Sequence, residues 1–449
     1  MPKRERQPPK EQRIQPPESY SSVVLTTEND IYNTMHQNYC LSLEPPTHWL
    51  NEIPTFSKDQ LSLQVNNDPP PQELLTSELE LEPSVEILLS HLNEIKTKLE
   101  PYAEIVSELK QSRSMRTTPQ NEFRRASRNK SVNPFESLSL DFDGMPLISR
   151  SALKLCNMDA LLGFKLCCGG SHSRSEEDMP IFVDLCGAPG GFSQYMIFRG
   201  MKKGYGMSLT GNSNDSVGLG WKVDILDKEQ FQVHSGEDGT GDLYVWDNVL
   251  SLQQKMETDT GASKAALVVA DGGLDAQRNS DDQEGIAYEL IICEMASSML
   301  LLDSGGHFVI KMFGFQSEKT RDAMLFLASV FECIKVIKPI ASRPASTERY
   351  VVGFNFQGVT EDFDPCQWRD EMLSENYMYT QKLDKSVCLE QFLDRVDHDI
   401  GSLNIRACSS IIECFRLEEL KVLHRKRKTH NPNFQDEVNL DHIRKTWNL

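Results

Sequence analysis

The stretch Ile181–Met196, IFVDLCGAPGGFSQYM, decides how the chain folds. Apolar residues on either side of Asp184 make a short buried strand, a Gly-Ala-Pro-Gly-Gly turn breaks it, and a helical pattern starts at Phe192. Gly187, Gly190 and Gly191 let the backbone pass close to a ligand with no side chain between. Asp184 can accept hydrogen bonds from a ligand's amine or hydroxyls, and the first turn of the helix offers its N–H groups to a carboxylate. No Gly-Lys-Ser/Thr follows to grip phosphates and magnesium, and the spacing departs from GxGxxG. A nucleoside carrying an amino acid, such as S-adenosyl-L-methionine, fits better than ATP or NAD. The alternative is a tight turn that binds nothing.

Outward from this turn, short apolar runs alternate with helical patterns from about residue 131. That texture predicts an α/β domain with a mostly parallel sheet and crossover helices. Strand-like runs are Ile181–Cys186, Gly204–Leu209, Ala265–Ala270, His307–Met312, Cys333–Ile337 and Tyr350–Phe356; helical patterns cover Phe192–Arg199, Ile286–Leu302 and Lys319–Phe331. Residues 1–130 differ: they hold 14 of the 22 prolines and cannot form one compact domain of regular elements. Within them the spacing predicts amphipathic helix over 84–110. A linker over 110–130 then carries seven basic residues and one acid. Residues 361–449 read as a helical extension, with helices near 387–397 and 402–418 and a basic run, HRKRK, at 424–428.

At 449 residues the chain can bury a large core, and 39% hydrophobic with 25% charged residues excludes a wholly disordered protein. The net charge of −19 argues against coating nucleic acid by bulk charge. Residues 131–360 hold 19 basic against 30 acidic side chains, so the acid is concentrated in the domain with the ligand turn. No run reaches a membrane span and the N-terminus lacks the apolar segment of a secretory signal, so an intracellular protein without membrane contact is expected. Eleven scattered cysteines, with no CxxC pair, read as reduced thiols without zinc.

VDLCGAPGGFSQY closely resembles the cofactor motif of the FtsJ-like (RrmJ-type) RNA ribose 2′-O-methyltransferases. Four further stretches agree in order: ISRSALKLCNMDA (148–160), LVVADGG (267–273), GGHFVIKMF (305–313) and KPIASRPASTERYVV (338–352). The resemblance implies a Rossmann-like S-adenosylmethionine-dependent methyltransferase fold with helical N- and C-terminal additions. Carried over by position, the family's Lys-Asp-Lys-Glu tetrad is Lys154, Asp271, Lys311 and Glu348. The implied cofactor pocket comprises Asp184, Cys186, Gly187, Ala188, Pro189, Gly190, Gly191 and Phe192, with Ser149 and Asp242 on its far side. From about residue 145 onward, CNMD, SRPASTERYVV, GEDGTGD (236–242) and the tail IRKTWNL resemble cap-specific mRNA 2′-O-methyltransferases of the cap-1 type. That implies a capped RNA 5′ end as partner and a nuclear setting, with contact to transcription or capping machinery through the N-terminal region. RNA contacts are implied at Ser346, where the family has asparagine, and at Asp281 and Gln283 in an acidic loop, LDAQRNSDDQ, that departs from the family. Ribosomal or transfer RNA as substrate, and a silent RNA- or cofactor-binding module, are the competing expectations.

A ribose 2′-hydroxyl is a weak nucleophile, so transfer needs in-line placement and a group to take or shield its proton. Lys311 closes an apolar strand and is the expected group. Burial and the charge of Lys154 would lower its pKa and make it a base, whereas Asp271 would hold it charged and assign it an orienting task. Glu348 is expected to pair with Lys154.

Overall fold

The computed structural model describes residues 54–62, 141–142, 144–167, 180–210, 220–222, 226, 229–273, 282–339, 341–374 and 386–423. The expected helix at 84–110, the linker at 110–130 and the basic run at 424–428 lie outside them.

The apolar runs form one eight-stranded sheet. In chain order the elements are β1 (Thr55–Ser57), the hairpin strands β2 (Asp141–Phe142) and β3 (Met145–Pro146), α1 (Ser151–Leu161), β4 (Ile181–Leu185), α2 (Gly191–Phe198), β5 (Lys203–Met207) and β6 (Phe231–Val233). They continue with α3 (Trp246–Thr260), β7 (Ala265–Ala270), α4 (Gln283–Leu301), β8 (Leu302–Met312), α5 (Glu318–Val330), β9 (Phe331–Ile337), β10 (Arg349–Phe356), α6 (Pro365–Leu373) and α7 (Val387–Leu423). The sheet order is β1-β9-β10-β8-β7-β4-β5-β6. Every strand from β8 to β6 in this order runs parallel to its neighbour, as crossover helices require. β10 enters between β8 and β9 antiparallel to both, because only a helix-free loop joins it to β9.

Apolar layers cover both faces. On one, α4, α5 and α6 pack over Val268, Phe308 and Ile310; on the other, α1 and α2 pack over Phe182, Val269, Val309 and Tyr350. Two features depart from the sequence expectation. β1, from the Pro-rich segment, adds an antiparallel edge strand to β9 and buries Phe56 against Phe392 of α7, with ring centroids 5.4 Å apart. And α7 is one continuous helix where a break near 398–401 was expected. Gly401 lowers helix propensity by about 1 kcal/mol, but its neighbours Ile400 and Leu403 are buried and hold the helix through it. Leu393 and Ile400 of this helix pack in one layer, and Leu403 and Ala407 in the other.

Candidate active site

At the end of β4 the Asp184 carboxylate is fully buried. Its Oδ2 accepts from the backbone N–H (3.1 Å) and hydroxyl (2.6 Å) of Ser193 in α2, while its Oδ1 has no hydrogen-bond partner. Burial drives the Asp184 pKa up to about 7; the Ser193 hydroxyl opposes this and the charge of Asp271 adds to it. A Cβ on Gly187 would lie 2.0 Å from Asp184 Oδ1, so only glycine passes there. The N–H of Gly190 donates to the Gly187 carbonyl (2.8 Å), closing the bend through Ala188 and Pro189. A Cβ on Gly191 would meet the hydroxyls of Ser149 and Ser151, so both serines lie against the turn. Asp242 stands in a loop whose Thr240 carbonyl accepts from Thr210 N–H (2.7 Å), beyond the end of β5; its Oδ1 accepts from Tyr244 N–H (3.0 Å). Phe192 is buried, its ring 6.0 Å from that of Tyr350. An orphaned acidic oxygen beside a glycine cradle, with no phosphate-gripping lysine, fits a nucleoside bearing a charged amino-acid group.

The four tetrad positions meet beside this turn. Parallel pairing of β7 with β8 brings Asp271, one residue past β7, level with Lys311, and antiparallel pairing sets Tyr350 directly opposite Lys311. Lys311 Nζ stands 3.0 Å from Asp271 Oδ1 and donates to the Asp271 carbonyl at 2.8 Å. Tyr350 OH donates to Asp271 Oδ1 (2.8 Å) and accepts from Lys154 Nζ (3.1 Å), which also donates to Glu348 Oε1 (2.7 Å). The result is one chain of contacts, Glu348–Lys154–Tyr350–Asp271–Lys311, with both lysines and Glu348 buried.

Electrostatics decide which lysine character prevails. Burial lowers the Lys311 pKa, but the charges of Asp271, Glu348 and Glu294 outweigh it and leave it above its ordinary value. Of the two readings of Lys311, base or orienting group, the raised pKa favours the orienting one in the ligand-free site. Burial raises the Glu348 carboxyl, yet Lys154, Lys311 and Lys338 overcome this and hold it well below the usual carboxylate range.

Four neighbours escaped the sequence reading. Tyr350 is the bridge of the network, and only its place two residues after Glu348 could have signalled it. Glu294 of α4 is buried beneath the Asp271 turn, its Oε1 accepting from Gly272 N–H at 3.2 Å; burial drives it up to about 8, against the pull of Lys311. Lys338 donates to the carbonyls of Ser346 and Glu348, and Ser342 donates to Glu348 Oε1 (2.7 Å). Of the expected RNA contacts, Gln283 Oε1 accepts from Thr347 Oγ1 (2.5 Å) and Ser346 Oγ accepts from Glu348 N–H (3.2 Å), so both border the Glu348 loop. Asp281 lies outside the described residues.

Residues 147–356 match the family described as FtsJ-like methyltransferase. That stretch is just under half of the chain. The chain is 28% identical over 62% of its length to cap-specific mRNA (nucleoside-2'-O-)-methyltransferase 1 of Mus musculus, and 30% identical over 49% to the protein of that name from Danio rerio. These alignments cover 34% and 27% of those proteins, so the chain spans about a third of the length of the curated relatives it matches. Among solved structures, a putative ribosomal RNA methyltransferase from Plasmodium falciparum is similar over 47% of this chain and 99% of that one, at 20% identity and TM-score 0.32. The matched stretch contains the glycine turn and all four tetrad positions. Among the described residues no helix is long and apolar enough to cross a membrane.

Proposed function

We propose that the chain methylates the ribose 2′-hydroxyl of the first transcribed nucleotide of capped mRNA, converting cap-0 to cap-1 ends with S-adenosyl-L-methionine. The observation that carries the chemistry is the contact chain from Glu348 to Lys311 beside a glycine turn with an unpartnered Asp184 oxygen. The capped substrate is supported by the names of the relatives.

When bound, the cofactor supplies an electrophilic methyl group on a sulfonium. Asp184, Cys186, Gly187, Ala188, Pro189, Gly190, Gly191 and Phe192 form the pocket for it, with Ser149 and Asp242 at the rim. Lys154 and Lys311 are held side by side as hydrogen-bond donors by Glu348, Tyr350 and Asp271. They fix the hydroxyl oxygen in line and stabilise the negative charge that builds on it. Lys311, charged in the free site, orients the hydroxyl rather than deprotonating it, and the hydroxyl proton passes to solvent water as the oxygen takes up the methyl group. Ser346 and Gln283, beside Glu348, and Asp281 are the assigned RNA contacts. The substrate implies a nuclear setting, and the N-terminal segment is the assigned contact with transcription or capping machinery.

Methyl transfer to a short RNA with an N7-methylguanosine cap, measured beside its uncapped twin, tests the substrate. Transfer to the capped RNA is expected to exceed the other at least about tenfold, a discrimination of 1.4 kcal/mol; equal rates would rule out cap specificity. Lys311→Ala tests the site. It is expected to lower kcat by about 10²- to 10³-fold with cofactor affinity nearly unchanged, and a variant keeping most of its rate would remove Lys311 from the mechanism.

A further inference from the structure

The family match ends at residue 356, yet the tetrad is held from beyond it. Asp397 and Asn404 lie seven residues apart in α7, two turns along one face, and both are buried. Asp397 Oδ1 pairs with the guanidinium of Arg349, the residue after Glu348, and its Oδ2 accepts from the N–H of Phe315 (3.1 Å), four residues after Lys311. Asn404 Nδ2 donates to the carbonyls of Pro344 (2.5 Å) and Ser346 (2.9 Å), in the loop that leads to Glu348. Arg349 is further fixed by Nε on the Thr347 carbonyl (3.2 Å) and by stacking 5.1 Å over the Phe315 ring.

The geometry follows from the break in the sheet. The loop 341–348 carries Glu348 but has no ladder partner of its own, because β9 ends at Ile337 and β10 begins at Arg349. Its backbone carbonyls must be satisfied by something else when buried. Lys338 supplies one set of donors from below, and α7 supplies the other. A buried charge such as Arg349 is tolerated only with a counter-charge in good geometry, and Asp397 is that counter-charge.

We propose that Asp397 and Asn404 are positioning residues for methyl transfer: α7 sets where Glu348 and Lys311 stand, so the C-terminal extension is part of the active site's construction. This rests on methyl transfer being the reaction of the tetrad. Loosening the Glu348 loop would let Lys154 drift from the hydroxyl while the cofactor turn, on β4 and α2, stays as it is. The effect therefore belongs in kcat and not in cofactor binding.

The test uses the full chain with Asn404→Ala and Asp397→Asn, and Asp394→Asn as control. Asp394 is on the same helix but pairs with Arg321 of α5 at the surface. Methyl transfer to capped RNA, cofactor affinity, and amide hydrogen exchange over 341–349 are measured together. Expected for Asn404→Ala is a kcat loss of tenfold or more, cofactor Kd within twofold, and at least tenfold faster exchange in that loop; Asp394→Asn changes none of these. Asp397→Asn, if it folds, repeats the pattern and extends faster exchange to Phe315. A variant with lowered melting temperature but unchanged kcat, or with unchanged loop exchange, overturns the proposal. Should the unaltered protein methylate no RNA, the proposed function fails, while loop exchange in Asn404→Ala still decides whether α7 holds the loop.

Discussion

At the scale of single residues, the site is a set of charges whose mutual cancellation matters more than any one member. Tyr350 joins the two lysine–carboxylate pairs, and its OH touches both Lys154 and Asp271. Tyr350→Phe keeps the buried ring and removes that link, so kcat should fall about tenfold with stability changed by about 1 kcal/mol or less; kcat equal to that of the unaltered protein would make Tyr350 a packing residue only. Glu294 makes a different prediction. Its folded pKa of about 8 lies above the ordinary 4.5, chiefly through burial. The native state therefore binds its proton more tightly than the unfolded chain, and stability is lost as pH rises from about 4.5 through about 8. Gln cannot ionise, so the melting temperature of Glu294→Gln relative to the unaltered protein should rise from pH 5 to pH 9, and a pH-independent difference would refute the burial effect. Lys154, Asp271, Lys311 and Glu348 were legible because each sits in a motif with a recognisable neighbour. Tyr350, Glu294 and Lys338 were not, because aromatic, acidic and basic residues at such spacing carry no local mark of what lies across the sheet.

Among elements, legibility followed period and length. The six strand-like runs appear as β4, β5, β7, β8, β9 and β10 within a few residues at each end, because apolar runs bounded by turn residues are a local property. β1 and β6, three residues each, are strands through their partners alone, and no pattern of three residues can announce that. The direction of β10 is likewise a tertiary fact. β1 invites a test, since its one buried side chain, Phe56, meets both β9 and α7. Phe56→Ala removes a ring from a filled site, at a cost of about 3–5 kcal/mol if β1 stays docked. A three-residue strand can instead detach, which limits the loss to what its docking contributes. A melting temperature lowered by about 4–10 °C is expected, with faster amide exchange at Val336, whose N–H is bonded to the Pro54 carbonyl at 3.0 Å. Unchanged melting would show that β1 contributes nothing to the sheet.

For the whole molecule, the proposed methyl transfer to RNA by a chain with a net charge of −19 needs a physical account. The structure supplies part of it: Lys154, Lys311 and Arg349 already face Glu348, Asp271 and Asp397, so their charge is spent within the protein and projects little field outward. Long-range attraction for a phosphate chain is then small, and recognition falls to short-range contacts at one RNA end. Counter-ion release makes affinity for single strands fall with salt at a slope near −0.7 per phosphate contact. With only two to four such contacts, the slope for an uncapped 20-residue RNA should be about −1.5 to −3. Anisotropy titrations between 50 and 300 mM salt measure it. A capped RNA of the same length should bind more tightly than one ending in a 5′-triphosphate and with the same slope, since the two present the same number of phosphates. A steep slope, near −6 or beyond, would mean an extended basic track, for which residues 131–360 offer 19 basic against 30 acidic side chains.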